Sequence, residues 1–265
     1  MNLPIGSPES NLWSQEPPGA SSCAEGGNIL PSDKAAIIEQ ALRDKRSYLL
    51  EHESKEILEG IGIPTTGGIV AKSEDDAVAI SRAIGYPVVL KIVSPDVVHK
   101  TDGGGVKLNL GSDEDVRSAY RAIVQAFTQV NIQGVLVQKM AAPGIEAIIG
   151  ATRDPSFGHV LMFGLGGVFV EILKDVSFRI LPITEDSAAD MIAEIKGSSL
   201  LKGYRGQSAD IVALKGLLYK VSRLVVENPA ICELDLNPVF LSPEGCMVAD
   251  ARIFVDDAPM RQPIQ

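Results

Sequence analysis

The chain has 265 residues, 34 acidic against 24 basic side chains and a formal net charge of −10, with 45 % apolar and 22 % charged residues. That length suits one large or two small packed domains of ordinary globular composition. The acidic balance argues against work on nucleic acid or anionic membrane, both polyanions, and no apolar run approaches the roughly 20 residues of a membrane span.

Residues 1–30 mix Pro4, Pro8, Pro17 and Pro18 with Ser, Gly and Trp13, without periodicity, and read as a disordered leader rather than a signal peptide. Order is expected to begin near Ser32, read as the N-cap of a helix carrying Ile37, Ile38, Ala41 and Leu42. A second helix carries Leu49, Leu50, Ile57, Leu58 and Ile61 and is closed by Gly60, Gly62 and Pro64. A short strand over 69–71 follows, then a helix started by Ser73 and Asp76 and ended by Gly85. Residues 88–92 read as a buried strand, and Val106, Leu108 and Leu110 alternate with Lys107 and Asn109 as a half-buried one. Ser112 and Asp115 start a helix bearing Val116, Tyr120, Ile123, Val124 and Phe127, and a strand over 135–140 closes this α/β unit.

The second half reads as α+β, because strands expected at 146–152, 159–163, 168–173 and 177–181 follow one another without helices between them. Helices are expected at 187–195 and 210–226, then a hairpin of 231–241 and 246–253 turned by Ser242-Pro243-Glu244-Gly245. Cys23, Cys232 and Cys246 form neither a disulfide framework nor a zinc pattern, so the expected compartment is the reducing cytoplasm.

The terminal hairpin carries the strongest chemical signal. Alternation sets Glu233, Asp235 and Asn237 on one face and Cys232, Leu234 and Leu236 on the other. If Leu241 pairs with Cys246 across the turn, Asn237 lies opposite Asp250, with Cβ atoms about 5 Å apart. A carboxylate and an amide oxygen without His or Cys are the ligand types for Mg²⁺; the alternative is a solvated outer face. Lys91 ends an apolar run and Lys107 follows Gly103-Gly104-Gly105, a pattern that reads either as a phosphate cradle or as a flexible loop. Gly164-Leu165-Gly166-Gly167 lacks the spacing of a dinucleotide fingerprint and reads first as a turn. His99 stands in a polar, loop-like stretch before the triple glycine, where a neutral imidazole is a competent nucleophile towards phosphorus or simply a surface residue. His52 and His159 have no supporting cluster.

Taken together, 88–95, His99-Lys100-Thr101-Asp102, Gly104-Gly105-Val106-Lys107, 150–158, Gly203-Tyr204-Arg205-Gly206 and 233–238 resemble the ATP-grasp subunit of the NDP-forming acyl-CoA synthetases. The resemblance covers about residues 34–256, and the chain is similar, more distantly, to the succinyl-CoA synthetase β subunit. It implies an ATP-grasp fold of two α+β lobes clamping a nucleotide: an N-terminal lobe over 31–135 with the His99 loop, a C-terminal lobe over 136–258 with the metal-binding hairpin, and a tail over 259–265. It implies ATP or ADP and Mg²⁺ as cofactors, and a CoA-binding α partner in an α₂β₂ assembly. By the same resemblance His99 is the second phosphorylatable histidine, the first lying on the α subunit, with Asp235 and Arg205 as further catalytic candidates. Lys91, Gly103, Gly104, Gly105 and Lys107 face nucleotide phosphates; Gln138, Lys139 and Met140 face the base; Glu146 binds the ribose; Asn237 and Asp250 bind Mg²⁺. The implied reaction is acyl-CoA + ADP + phosphate ⇌ carboxylic acid + CoA + ATP. The alternatives are a non-catalytic ATP-binding regulatory subunit or another ATP-grasp ligase.

Overall fold

The structure, a computed structural model, describes residues 28–97, 100–101, 103–203 and 208–257. His99 and Arg205 lie outside the described residues, as do the tail and all but the last three residues of the expected leader. In chain order the elements are α1 (Ser32–Arg43), α2 (Glu51–Gly60), β1 (Ile69–Ala71), α3 (Glu74–Ile84), β2 (Val88–Val93), β3 (Val106–Leu110), α4 (Asp113–Ala126), β4 (Gly134–Lys139), β5 (Ile145–Asp154), β6 (Gly158–Leu165), α5 (Val168–Glu171), β7 (Val176–Ile180), α6 (Glu185–Glu194), α7 (Ser198–Leu201), α8 (Ile211–Glu227), β8 (Ile231–Ser242), β9 (Gly245–Val248) and β10 (Ala251–Val255). Among the described residues no helix is long and apolar enough to cross a membrane.

Two antiparallel sheets organise these elements. The first has the order β1-β4-β2-β3. Strand alternation turns Val88, Leu90, Ile92, Val135 and Val137 towards α3 and α4, where they pack on Ala77, Val78, Val116 and Ile123. The opposite face of the same strands carries Lys91 and Gln138, with Val93 and Leu136 packed on Leu50. The second sheet has the order β10-β8-β5-β6-β7, with β9 on β8. Its inner face, including Ile149, Phe163, Leu234 and Leu236, shares one core with α1, α2, α6 and α8.

Side chains fix several helix starts. Ser73 accepts from the Asp76 amide and Ser112 from the Asp115 amide, as the sequence implies, and Asp210 accepts from Val212 and Ala213. Some expectations are corrected. Pro31, not Ser32, occupies the cap position of α1, and Thr184 caps α6 three residues before the expected start. Next to Pro31, Leu30 is buried, and the Ile29 amide donates to Glu227 at the end of α8. The strand expected at 168–173 is instead the short helix α5, because the chain leaves the sheet at Gly166-Gly167 and an apolar run alone does not distinguish the two. β4 is a central strand of the first sheet to Lys139, whereas α1 and α2 belong to the core of the second.

The second arm of the terminal hairpin is two strands, not one. Pro238 has no amide proton, so it accepts from the Ala249 amide at 3.0 Å but returns nothing to the Ala249 carbonyl. β9 and β10 separate at that rung.

Phe163 is fully buried at the centre of the larger core. Phe163→Ala should cost about 3–5 kcal/mol through lost burial and a residual cavity; a fall in the denaturant midpoint with an unchanged slope checks it.

Candidate functional site

The two sheets meet around one buried carboxylate. Glu51 opens α2, and its Oε1 accepts from Lys91 Nζ at 2.6 Å on β2 and lies 2.9 Å from Lys55 Nζ one turn along its own helix. Its Oε2 accepts from Lys100 Nζ at 2.5 Å. Lys55 also donates to Gln138 Oε1 on β4 at 2.6 Å and to Thr66 Oγ1 and the Gly67 carbonyl in the linker before β1. Lys91 continues to the Ala249 carbonyl at 3.0 Å and to Asp250 Oδ2 at 3.2 Å, between β9 and β10. The carbonyl that Pro238 leaves unpaired is therefore the one that receives Lys91.

Charge balance sets the protonation of this cluster. Burial opposes ionisation of Glu51, but the ammonium groups of Lys91, Lys100 and Lys55 outweigh it and hold the carboxyl below the usual carboxylate range. Burial pushes Lys55 down to about 8, against the pull of Glu51. Lys91 is buried as well, yet Glu51 and Asp250 raise it above an ordinary lysine.

The register places Asn237 opposite Asp250, as the sequence implies. Leu241 pairs with Cys246, Leu236 with Ala251, and the Asn237 amide donates to the Asp250 carbonyl at 3.2 Å. Asp250 Oδ1 is buried and has no hydrogen-bond partner. A buried carboxylate oxygen without a donor is the position a cation satisfies, so the residues fit a divalent ion. Among the described residues no group of three or more His, Cys, Asp or Glu side chains gathers as a metal cage. Two protein oxygens completed by phosphate oxygens are the usual manner of Mg²⁺. Two residues along β8, burial pushes the Asp235 carboxyl up, against the pull of Arg252 opposite it.

Other expected residues lie around this centre. Gly105 packs so closely that a Cβ there would sit 2.7 Å from Ile92 Cγ2 and 2.9 Å from the Lys100 carbonyl, and Gly104 has φ +74°. The triple glycine is thus built into the turn rather than simply flexible. Lys107 is not drawn into the Glu51 cluster: the register sets it opposite Leu90, while Val106 stands opposite Lys91. Lys139 Nζ donates to the Gly85 and Tyr86 carbonyls, and the Met140 amide to the Pro87 carbonyl. Lys139 and Met140 line a cleft of about 860 Å³ that also contacts Thr66, Phe240 and Met247. Exposed Glu146 stands directly opposite Phe240, one of the residues lining this cleft. His159 is a core histidine, its Nε2 3.0 Å from the Ile231 carbonyl.

Sequence reasoning missed Glu51 and Lys55. The available signal was their position: spaced four apart, they fall on the stripe of α2 that also holds buried Ser54 and Leu58, where solvated charges do not belong.

A family model described as "ATP-grasp domain" matches residues 40–255. The chain is 47 % identical over 224 residues to acetate–CoA ligase (ADP-forming) I subunit beta of Pyrococcus furiosus, covering 83 % of this chain and 96 % of that one. It is 45 % identical to 4-hydroxybutyrate–CoA ligase (ADP-forming) of Nitrosopumilus maritimus, covering 82 % of this chain but 32 % of that longer protein. Acetyl-coenzyme A synthetase 1 of Ca. Korarchaeum cryptofilum, solved with coenzyme A and Ca-AMPCP, superposes with a TM-score of 0.82 at 51 % identity, covering 84 % of this chain and 100 % of that one. The same synthetase with coenzyme A and Mg-AMPPCP, its phosphohistidine segment pointing towards the nucleotide site, gives 0.75 at 50 % identity over the same shares.

The Glu51 cluster makes a pH-dependent contribution of definite sign. Its carboxyl takes up a proton near 4.5 when unfolded and only at lower pH when folded, so the unfolded chain binds more protons in between and stability falls with falling pH. Glu51→Gln should remove up to about 1.4 kcal/mol per pH unit of that slope. Denaturant midpoints from about pH 6 to about pH 3 check it; an unaltered slope would mean that folding leaves the proton affinity of Glu51 unchanged.

Proposed function

Because the chain belongs to the ATP-grasp family, among the ADP-forming acyl-CoA ligases, we propose that it is the nucleotide-binding β subunit of such a ligase. It interconverts acyl-CoA, ADP and phosphate with carboxylic acid, CoA and ATP together with a CoA-binding α subunit, in an α₂β₂ assembly in the cytoplasm. The carrying observation is the meeting of Lys91, Asp250 and Asn237 where the two sheets join, with Asp250 Oδ1 buried and partnerless. Near-complete coverage of the separate subunit-beta relative, against about a third of the longer ligase, supports a division of labour with another chain. Mg-AMPPCP in the Korarchaeum synthetase supports the nucleotide and its metal.

In this reading an acyl phosphate formed on the α subunit gives its phosphoryl group to a histidine of that subunit, releasing the carboxylate, and that phosphohistidine passes the group to His99 and returns to neutral imidazole. The phosphorus–nitrogen bond then breaks as a terminal ADP oxygen takes the phosphoryl group, yielding ATP and neutral imidazole. Lys91, fixed by Glu51, supplies a desolvated positive charge near the transferring group, where it acts more strongly than in water. Lys107 and the Gly103–Gly105 turn flank the phosphates. The base lies in the large cleft against Lys139 and Met140, with the backbone of Gln138 beside them, and Glu146 meets the ribose. Asp235 and Arg205 serve the phosphohistidine. Asn237 and Asp250 hold Mg²⁺, which when bound neutralises phosphate charge.

The chain purified with its α partner and incubated with γ-labelled ATP and Mg²⁺ should carry acid-labile, base-stable phosphate on His99. His99→Ala should abolish the label and lower turnover by roughly 10³-fold or more. Full turnover in His99→Ala would instead favour a non-catalytic nucleotide-binding subunit.

A further inference from the structure

Lys91 has three N–H donors and divides them among Glu51 Oε1 at 2.6 Å, the Ala249 carbonyl at 3.0 Å and Asp250 Oδ2 at 3.2 Å. Two carboxylates share this one ammonium, and the contact to Glu51 is the shorter. The other oxygen of Asp250 is buried without a donor. Asp250 therefore has two possible positive partners, Lys91 and a divalent cation, and each repels the other. Whatever holds Lys91 away from Asp250 favours the cation.

Glu51 is placed to do this. Its side chain is almost fully buried, it is fixed by Lys55 on its own helix and by Lys100, and those ammonium groups keep it ionised. The Pro238 rung adds a second restraint, because the Ala249 carbonyl is left open for Lys91. We propose that Glu51 is a positioning residue for divalent-cation binding: by keeping Lys91 in the tighter of its two carboxylate contacts, it leaves Asp250 to the metal. The inference rests on the metal assignment of the proposed function and adds a residue that touches neither metal nor nucleotide. It differs from a purely structural role in one respect, that removing Lys91 should cancel the loss of Glu51.

The test uses the full chain without nucleotide and Mn²⁺ as the probe, with binding read by water-proton relaxation and Asp250→Asn as the zero reference. Glu51→Gln should weaken Asp250-dependent Mn²⁺ binding by roughly tenfold or more, because Lys91 then turns wholly to Asp250. Adding Lys91→Met to Glu51→Gln should restore binding to within about threefold of the wild type. Lys91→Met alone should bind Mn²⁺ at least as tightly as the wild type, and it decides the matter if Glu51→Gln does not fold. Unchanged binding in Glu51→Gln, no rescue in the double variant, or weaker binding in Lys91→Met would each overturn the inference while leaving the metal site standing. Absence of any Asp250-dependent Mn²⁺ binding in the wild type would remove the metal assignment and the inference with it.

Discussion

Three ammonium groups converge on Glu51 in a space from which water is largely excluded, and the rest of the site follows from the need to keep that charge balanced. Lys55 comes from the same helix, Lys91 from the middle of the first sheet, and Lys100 from the segment after β2. A buried carboxylate with no cation, or a buried lysine with no anion, is strongly destabilising, so these elements keep their relative positions or lose the pairing together. Because Lys55 also grips Gln138 and Thr66, and Lys91 grips Ala249 and Asp250, the cluster ties α2, both sheets and the linker before β1 to one point. The point lies where the two sheets meet, beside the facing pair of Asn237 and Asp250.

The backbone contributes as much as the charges. Pro238 removes one donor from the β8 ladder, and the carbonyl so released is used by Lys91. Gly105 lets the turn into β3 close against Ile92 and the Lys100 carbonyl, which brings the chain back beside Lys91. These devices look like imperfections in a strand and in a loop when taken one at a time. In the folded chain each one puts a polar group where the site needs it.

The second sheet shows why local elements are legible in a sequence where their packing partners are not. Capping residues and alternation are local properties, so α3, α4, β2 and the hairpin turn were legible. The packing partners of α1 and α2 were not, because these helices precede the first sheet in the chain but bury their apolar stripes in the core of the second. A stripe records that a helix is covered and not by what. The run 168–173 was misread for a related reason: its apolar residues fit a strand or a helix, and the glycine turn before it decided the matter.

What the amino-acid sequence determined by itself was the facing pair of Asn237 and Asp250. A tight turn fixes register, and register fixes which residues oppose each other. It also marked Lys91 as a charge out of place in an apolar run. What the tertiary structure alone decided was the partner of that charge. Glu51 lies 40 residues from Lys91 and Ala249 lies 158 residues away, and no local rule links them. Their meeting depends on how α2 packs between the two sheets, and buried charges take the partners that packing brings within reach.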